Sequence, residues 1–131
     1  MGHRTIRIAA AAILDSRGRL LLVRKRGTTT FMQPGGKIEP GEKPEAALLR
    51  ELNEELGLSF ETDALRYLGV FSAEAANEPD ATVVADLYEV SAMGEPRPAA
   101  EIEEIAWLDA QNTGGVALAP LTRDLVLPRY S

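Results

Sequence analysis

Apolar residues fall in short blocks along the chain, separated by turn-forming residues, and the spacing within the blocks changes from strand-like to helical once near the middle. Residues 5–14 and 19–26 are two apolar runs joined by Asp15-Ser16-Arg17-Gly18, the pattern of a hairpin. The first run is rich in alanine and weakly alternating. The second contains Leu20-Leu21-Leu22-Val23, a continuous apolar stretch expected of a strand buried on both faces. A small polar loop at 27–30 precedes Phe31-Met32-Gln33, a short extended piece that runs into Pro34-Gly35-Gly36.

Residues 44–56 read as a helix. Pro44 suits the first turn, where its missing N–H is not needed, and Gly57 suits the position just past the end. Leu48 or Leu49, Leu52 and Leu56 recur at helical spacing and define the buried stripe. Further strands are predicted over 65–75, 81–90 and 102–108, with turns at Asn77-Glu78-Pro79-Asp80 and over 94–98. Gly114-Gly115 breaks the chain before a closing helix over 118–127, which could start near Pro120. Strands on both sides of a central helix, with a second helix at the end, predict an α/β or α+β sandwich with a mixed sheet. No repeat or linker divides the 131 residues, so one domain over 1–131 is expected.

Composition narrows the chemistry. There is no cysteine, which removes disulfides, zinc–thiolate sites and a cysteine nucleophile. His3 is the single histidine, too little for a multi-histidine metal site. With 20 acidic against 14 basic residues the net charge is −6, the wrong sign for binding a nucleic-acid duplex. No nucleic-acid partner is therefore expected, and an RNA-end-processing role would need a local basic channel. A small anionic substrate remains compatible if a divalent cation screens the carboxylates. Residues 8–14 are far too few to cross a bilayer, which takes about 20. Arg4 and Arg7 ahead of that run imitate a signal peptide, but the turn at 15–18 and the next apolar run read as a hairpin, so no membrane association and a cytoplasmic location are expected.

The chemistry concentrates between Gly35 and Leu58. Glu51, Glu54 and Glu55 stand at i, i+3 and i+4, so a helix projects their carboxylates from one face, with Arg50 one turn from Glu54. Like charges so spaced weaken an isolated helix by about 0.2–0.5 kcal/mol per pair, which solvation tolerates and a hard cation reverses. Mg²⁺ suits such oxygens and also takes phosphate oxygens, and Mn²⁺ is the alternative. Pro34-Gly35-Gly36 lets the backbone approach closely, so that a carbonyl can face a metal, and Pro40-Gly41 turns Glu42 back toward the helix. Three glutamates alone would suggest no more than a solvated acidic helix.

The wider spacing decides otherwise. Gly36, five residues, Glu42, seven residues, Arg50-Glu51-Leu52, one residue, Glu54-Glu55, one residue and Gly57-Leu58 match the signature of the Nudix hydrolase family at every specified position. From this chain's own composition such a match arises by chance with a frequency on the order of 10⁻⁶. The strand and turn order around it also resembles that family end to end. The resemblance implies an α/β/α sandwich whose signature forms a loop-helix-loop, and cleavage of the pyrophosphate linkage in nucleoside diphosphate derivatives with Mg²⁺ or Mn²⁺. It makes Glu54 and Glu55 metal ligands and Glu51 either a further ligand or the base that activates water. Arg50 would orient Glu51, the Gly35 carbonyl would complete the metal shell, and Glu42 would support the loop.

Outside the signature, many members carry a further acidic ligand some residues before a tryptophan. Ahead of Trp107 the candidates are Glu101 first and Glu104 in reserve; alternation puts Ile102 on the face opposite Glu101 and Glu103. An exposed edge strand would leave the same pattern. Arg24, Lys25 and Arg26 end a strand near the signature loop, and Arg24 and Arg26 are the selected phosphate-binding candidates beside Gly36. Phe31 stands where the family often has tryptophan. Gln33 departs from the family's apolar residue before Pro-Gly-Gly; it could hydrogen-bond a nucleobase or simply sit at a partly exposed strand end. Tyr67, Phe71, Tyr88 and Trp107 are expected in the core.

The leading expectation is a hydrolase of a small nucleotide, a nucleoside triphosphate first (the MutT-like branch), with dinucleoside polyphosphates or nucleotide sugars as alternatives. A non-catalytic nucleotide-binding regulatory module is the expectation from another class, but such members usually lose signature carboxylates that this chain keeps. Dimers are common among similar proteins, so a homodimer is also entertained.

Overall fold

The computed structural model describes residues 3–131. Its elements run β1 (Arg4–Leu14), β2 (Leu20–Lys25), β3 (Phe31–Met32), β4 (Gly35–Lys37), α1 (Pro44–Leu56), a 3₁₀ turn (Thr62–Ala64), β5 (Arg66–Glu74), β6 (Ala81–Ser91), β7 (Ile102–Leu108), a π-helical stretch (Leu121–Val126) and α2 (Leu127–Tyr130). The strands form one mixed sheet ordered β3-β2-β1-β6-β5, with β4 added to β1 and β7 to β2. β1 and β6 run parallel along their whole length, and the other pairs are antiparallel.

β1 explains its own composition. It lies inside the sheet with a layer on each face, so alternate residues enter opposite cores. Ala9, Ala11 and Ile13 pack with Leu48, Leu52 and Leu56 of α1. Ala10 and Ala12 pack with Leu121, Val126 and Leu127 near the C-terminus. Four successive buried alanines bring both layers close without a change of sheet. Leu20 to Val23 divide between the same two cores, as a continuous apolar run on a doubly covered strand must.

One edge of β1 changes partner along its length. Its end meets β2 at Leu14↔Leu20, its centre accepts β4 at Ala9↔Gly36 and Ala10↔Gly35, and Ala11 N–H donates to the Pro34 carbonyl between them. This splaying inserts the glycine loop into the sheet beside α1. The helix keeps the expected bounds. Pro44 opens it, and Gly57 at φ 68° closes it, its N–H on the Asn53 carbonyl.

Three expectations need correction. Tyr67 is not in the core: it is 52% exposed, because β5 is an edge strand, and it leans on Tyr88 with ring centroids 5.1 Å apart. The glycines at 35 and 36 are themselves a strand. The closing helix starts at Pro120, the later of the two expected starts, but runs on to Tyr130, beyond the expected 127, and is π-wound over Leu121–Val126. No helix among the described residues is long and apolar enough to cross a membrane.

Leu52 is fully buried where α1 meets β1. Leu52→Ala is expected to lower unfolding free energy by about 2–5 kcal/mol, as removal of a packed leucine does. Met93→Ala, on an exposed side chain, should stay within about 0.5 kcal/mol. Urea denaturation of both variants checks this.

Candidate active site

The glycine loop is caught between two surfaces. Gly35 has φ 145°, and a Cβ there would stand 2.1 Å from the Ala9 carbonyl oxygen and 2.8 Å from Ala10 Cα, so only glycine permits the pairing with β1. On Gly36 a Cβ would fall 2.4 Å from Cδ of Glu51 and 2.6 Å from its Oε1. The Glu51 carboxylate therefore lies directly on the loop backbone. One turn further along α1, Glu55 Oε1 accepts the Gly35 N–H at 3.2 Å. Two helix carboxylates are thus referenced to two consecutive glycines.

Arg50 gathers the others. Its Nη1 donates to Glu51 Oε2 at 2.7 Å, and its Nε and Nη2 donate to the two Glu42 oxygens at 2.9 Å each. Nη2 also reaches the Lys37 carbonyl at 3.1 Å, and Nη1 lies 3.9 Å from Glu54 Oε2. The paired guanidinium, helped by the Glu39 N–H, draws the Glu42 carboxyl down to about 2. The same bond to Glu42, with Glu51 behind it, holds Arg50 firmly in its charged form.

Glu55 behaves in the opposite way. Burial pushes its carboxyl up to about 8; the Gly35 N–H and the Lys25 charge oppose this, and the neighbouring Glu51 reinforces it. Glu54 and Glu55 also sit at the negative end of the helix, whose last turn carries no basic residue. A buried carboxylate beside a second one, at that end of a helix, calls for a positive partner. Among the described residues no three acidic side chains converge tightly enough to hold an ion as they stand, since Arg50 bridges Glu42 and Glu51. The donors at hand are all hard oxygens: Glu51, Glu54, Glu55 and the Gly35 carbonyl. That set suits a hard divalent cation.

Beside this cluster a hollow of about 150 Å³ is lined by Lys25, Gly35, Gly36 and Lys37, with Met32 and Gln33 at its base. A deeper hollow of about 70 Å³ continues from it past Gln33 to Thr122. A larger open groove of about 420 Å³ lies between Arg7 and residues 38–44; the α1 glutamates 51, 54 and 55 line neither it nor the smaller hollow, which meets the cluster only through Gly35 and Gly36.

The remaining candidates distribute unevenly. Arg24 and Arg26 are not brought to the hollow: Arg24 binds Glu104 at 3.0 Å and the Thr28 carbonyl at 2.7 Å, and Arg26 binds Glu103 at 3.3 Å. Lys25 between them lines the hollow instead, and the β2–β7 register shifts at Arg24/Lys25. The reserve candidate Glu104 is tied up by the Arg24 pair. Glu101 is exposed and lies just before β7, its carbonyl accepting the Arg26 N–H at 2.8 Å; it has no ion pair among the described residues. Gln33 is not at a partly exposed strand end: it is only 6% exposed, its Nε2 bonded to the Ala11 carbonyl at 2.9 Å. Lys37 escaped notice, since a lysine after a glycine pair carries no spacing signal.

The chain is similar to several known proteins. The 8-oxo-dGTP diphosphatase of Haemophilus influenzae is 40% identical over 62 residues, 44% of this chain and 46% of that protein. The ADP-ribose pyrophosphatase of Methanocaldococcus jannaschii is 28% identical over 109 residues, 80% of this chain and 63% of that protein. The chain thus spans less than two thirds of the length of either relative. The crystal structure of a MutT NUDIX hydrolase from Burkholderia pseudomallei matches with a TM-score of 0.81 at 28% identity, covering 98% of this chain and 99% of that one. The family model described as NUDIX domain matches residues 3–126, and with nearly every described residue inside that match the chain belongs to the Nudix family.

Proposed function

We propose that this chain is a divalent-cation-dependent hydrolase that cleaves the pyrophosphate linkage of a nucleoside diphosphate derivative, a nucleoside triphosphate in the first instance. The observation that carries the reading is the seating of Glu51 and Glu55 on the Gly35-Gly36 backbone, the same two glycines that line a hollow with Lys25 and Lys37. Glu54 and Glu55 would hold the cation together with the Gly35 carbonyl, Glu51 would be a further ligand or the base, and Glu101 would add an acidic ligand from the approach to β7. Mg²⁺ is the expected ion and Mn²⁺ the substitute; Nudix hydrolases generally use divalent ions. When bound, the ion would acidify a water and offset charge on the diphosphate.

The chain's own groups do the rest. Lys25 and Lys37 meet the phosphates as point charges. Where Glu51 is not a ligand it would take the proton from the attacking water, and Arg50, bonded to it at 2.7 Å, fixes its carboxylate in one orientation. Arg50 is in turn immobilised by Glu42. The backbone of Gly36 leaves room for the carboxylate and nothing larger.

The triphosphate reading draws support from the 8-oxo-dGTP diphosphatase relative. A second reading, a diphosphate joining a nucleoside to a sugar, draws support from the ADP-ribose pyrophosphatase relative, which matches more of the chain. A purely regulatory nucleotide-binding module is disfavoured by the retention of Glu51, Glu54 and Glu55 in one cluster.

Phosphate-product release across nucleoside triphosphates, oxidised triphosphates, dinucleoside polyphosphates and nucleotide sugars separates these readings. Glu54→Gln, on a half-exposed side chain, should cut turnover by at least about 100-fold with an unchanged circular dichroism spectrum. Full activity in that variant would remove Glu54 from the site. Glu101→Gln should weaken cation affinity or turnover more than Glu103→Gln, whose carboxylate is engaged by Arg26. If neither change has an effect, the downstream ligand is elsewhere.

Glu55 yields a pH test. Its carboxyl stands at about 8 in the fold against an ordinary 4.5, so between those values the folded chain binds more protons than the unfolded one. Without divalent cation, stability should fall as pH rises through that window and level off above it. Glu55→Gln should flatten the decline, checked by thermal unfolding in EDTA from about pH 5 to about pH 9. A wild-type profile as flat as the variant's would contradict the buried, cation-seeking carboxylate.

A further inference from the structure

The fold treats the edges of its sheet differently. Outside β3, residues 117–119 close the edge: Phe31 N–H donates to the Ala117 carbonyl and Ala119 N–H to the Phe31 carbonyl, both at 2.9 Å. β7, which pairs only with β2, carries Glu103 and Glu104, charges that discourage a further strand. β5 has neither device. It pairs only with β6, and among the described residues no backbone bond from outside that ladder reaches it. Between Arg66 and Glu74 it contains no charge and no proline. Such an edge is a template for another strand.

The backbone phase of this edge is fixed. Ala75 N–H donates to the Ala81 carbonyl at 3.0 Å, and in an antiparallel ladder every second residue bonds the same neighbour. Ala73 and Phe71 therefore bond β6, while Val70, Ser72 and Glu74 present N–H and C=O outward. The side chains agree. Tyr67 and Val70 lie opposite Tyr88 and Asp86, which are two apart on β6, so they share a face although three apart on β5. The bulge between Tyr67 and Gly69 takes up the extra residue. They are two of the three large apolar side chains left exposed among the described residues, Val70 at 56%. Tyr67 is exposed without being loose. Its hydroxyl donates to Asp86 Oδ1 at 2.8 Å, Arg7 holds the other Asp86 oxygen at 2.9 Å, and its ring rests on Tyr88. An aromatic already fixed loses little freedom when it is covered, as suits an interface anchor.

We propose that β5 is the pairing edge of a two-fold dimer: the β5 of a second copy lies antiparallel to it, Val70 against Val70, and joins the two sheets into one. Val70 on the axis exchanges both backbone bonds with its counterpart, and the Tyr67–Val70 patches of the two copies meet on one face. Self-complementarity selects the occupant. β5 has Arg66 at one end and Glu74 at the other, so antiparallel pairing with itself brings the positive end of each strand beside the negative end of its partner. A parallel arrangement would bring like beside like. The two-fold axis also closes the assembly, since each copy has one such edge and uses it. β5 runs on into Ala75, Ala76, Asn77 and Glu78, which line the recess that the two smaller hollows form beside the glycine loop, so the pairing braces that wall. The inference does not depend on the hydrolase reading.

Sedimentation equilibrium at about 100 μM should give twice the chain mass, falling toward the single chain on dilution. Val70→Lys sets like charges face to face on the axis, and Ser72→Pro removes an N–H that only the second copy uses. Both side chains are exposed, so each variant should keep its circular dichroism spectrum and be monomeric at the same concentration. The sequence has no cysteine, so a single introduced cysteine can form a disulfide only between copies. Val70→Cys should cross-link under mild oxidation, because hydrogen-bonded strand partners stand about 5.5 Å apart at Cα, within disulfide reach. Met93→Cys, comparably exposed but off the strand, should not.

A monomeric wild type at that concentration would overturn the proposal. A dimer that survives either Val70→Lys or Ser72→Pro would overturn it too, by placing the contact elsewhere than on the strand edge. Equal cross-linking of the two cysteine variants would report collision alone and have the same consequence. Failure of every hydrolysis assay would leave this inference untouched.

Discussion

The contact of the Gly35-Gly36 backbone with strand β1 on one side and the Glu51 carboxylate on the other sets the position of every other group at the site. Gly35 meets β1 where a methyl group would overlap the Ala9 carbonyl, and Gly36 meets α1 where a methyl group would overlap Glu51. Strand, loop and helix are therefore separated by bare peptide thickness. The alanines of β1 belong to the same constraint, since Ala9 and Ala10 are the register partners of the two glycines. The carboxylates of Glu51, Glu54 and Glu55 consequently hang from a helix seated against a strand, so their spacing is set by rigid elements.

This close approach carries an electrostatic cost that the surroundings share out. α1 bears its acids in the half where the helix dipole favours cations. It holds together because Leu48, Leu52 and Leu56 are fully buried and Gly57 closes its end. Arg50 then divides the carboxylates into two kinds. Glu42 and Glu51 share its guanidinium. Glu55 receives a single backbone N–H in a buried setting, which is why its carboxyl rises while that of Glu42 falls. One arginine thus leaves a negative vacancy of charge at a defined place, next to the glycine carbonyl.

Much of this was legible in the residues, for identifiable reasons. The helix bounds followed from Pro44 and Gly57, whose backbone preferences are local. Most strands followed from apolar runs ended by turn residues. What could not be read depends on neighbours far away in sequence. Gly35 and Gly36 form a strand only because β1 opens its edge to them. Tyr67 is exposed because its strand is the last in the sheet, which periodicity does not encode. The choice among Arg24, Lys25 and Arg26 turned on the ion pairs that β7 offers the two arginines, and the burial of Gln33 on a bond to Ala11 across the fold. The signature spacing located the acidic cluster, but nothing in it spoke of the recess, whose walls come from β1, β3, β6 and the C-terminal stretch.

A chain of net charge −6 does not attract polyanions at a distance. At physiological salt, however, its field fades over about 8 Å, so what counts is the charge near the mouth of the recess. There the fold spends its arginines on pairing: Arg24 and Arg26 hold Glu104 and Glu103 along β7, Arg7 holds Asp86, and Arg50 holds Glu42 and Glu51. Lys25 and Lys37 are the cations left lining the recess. Two lysines beside a divalent ion would grip any phosphate chain alike. Discrimination among substrates would then fall to the apolar walls of the recess, where an unmatched hydrogen bond is expensive.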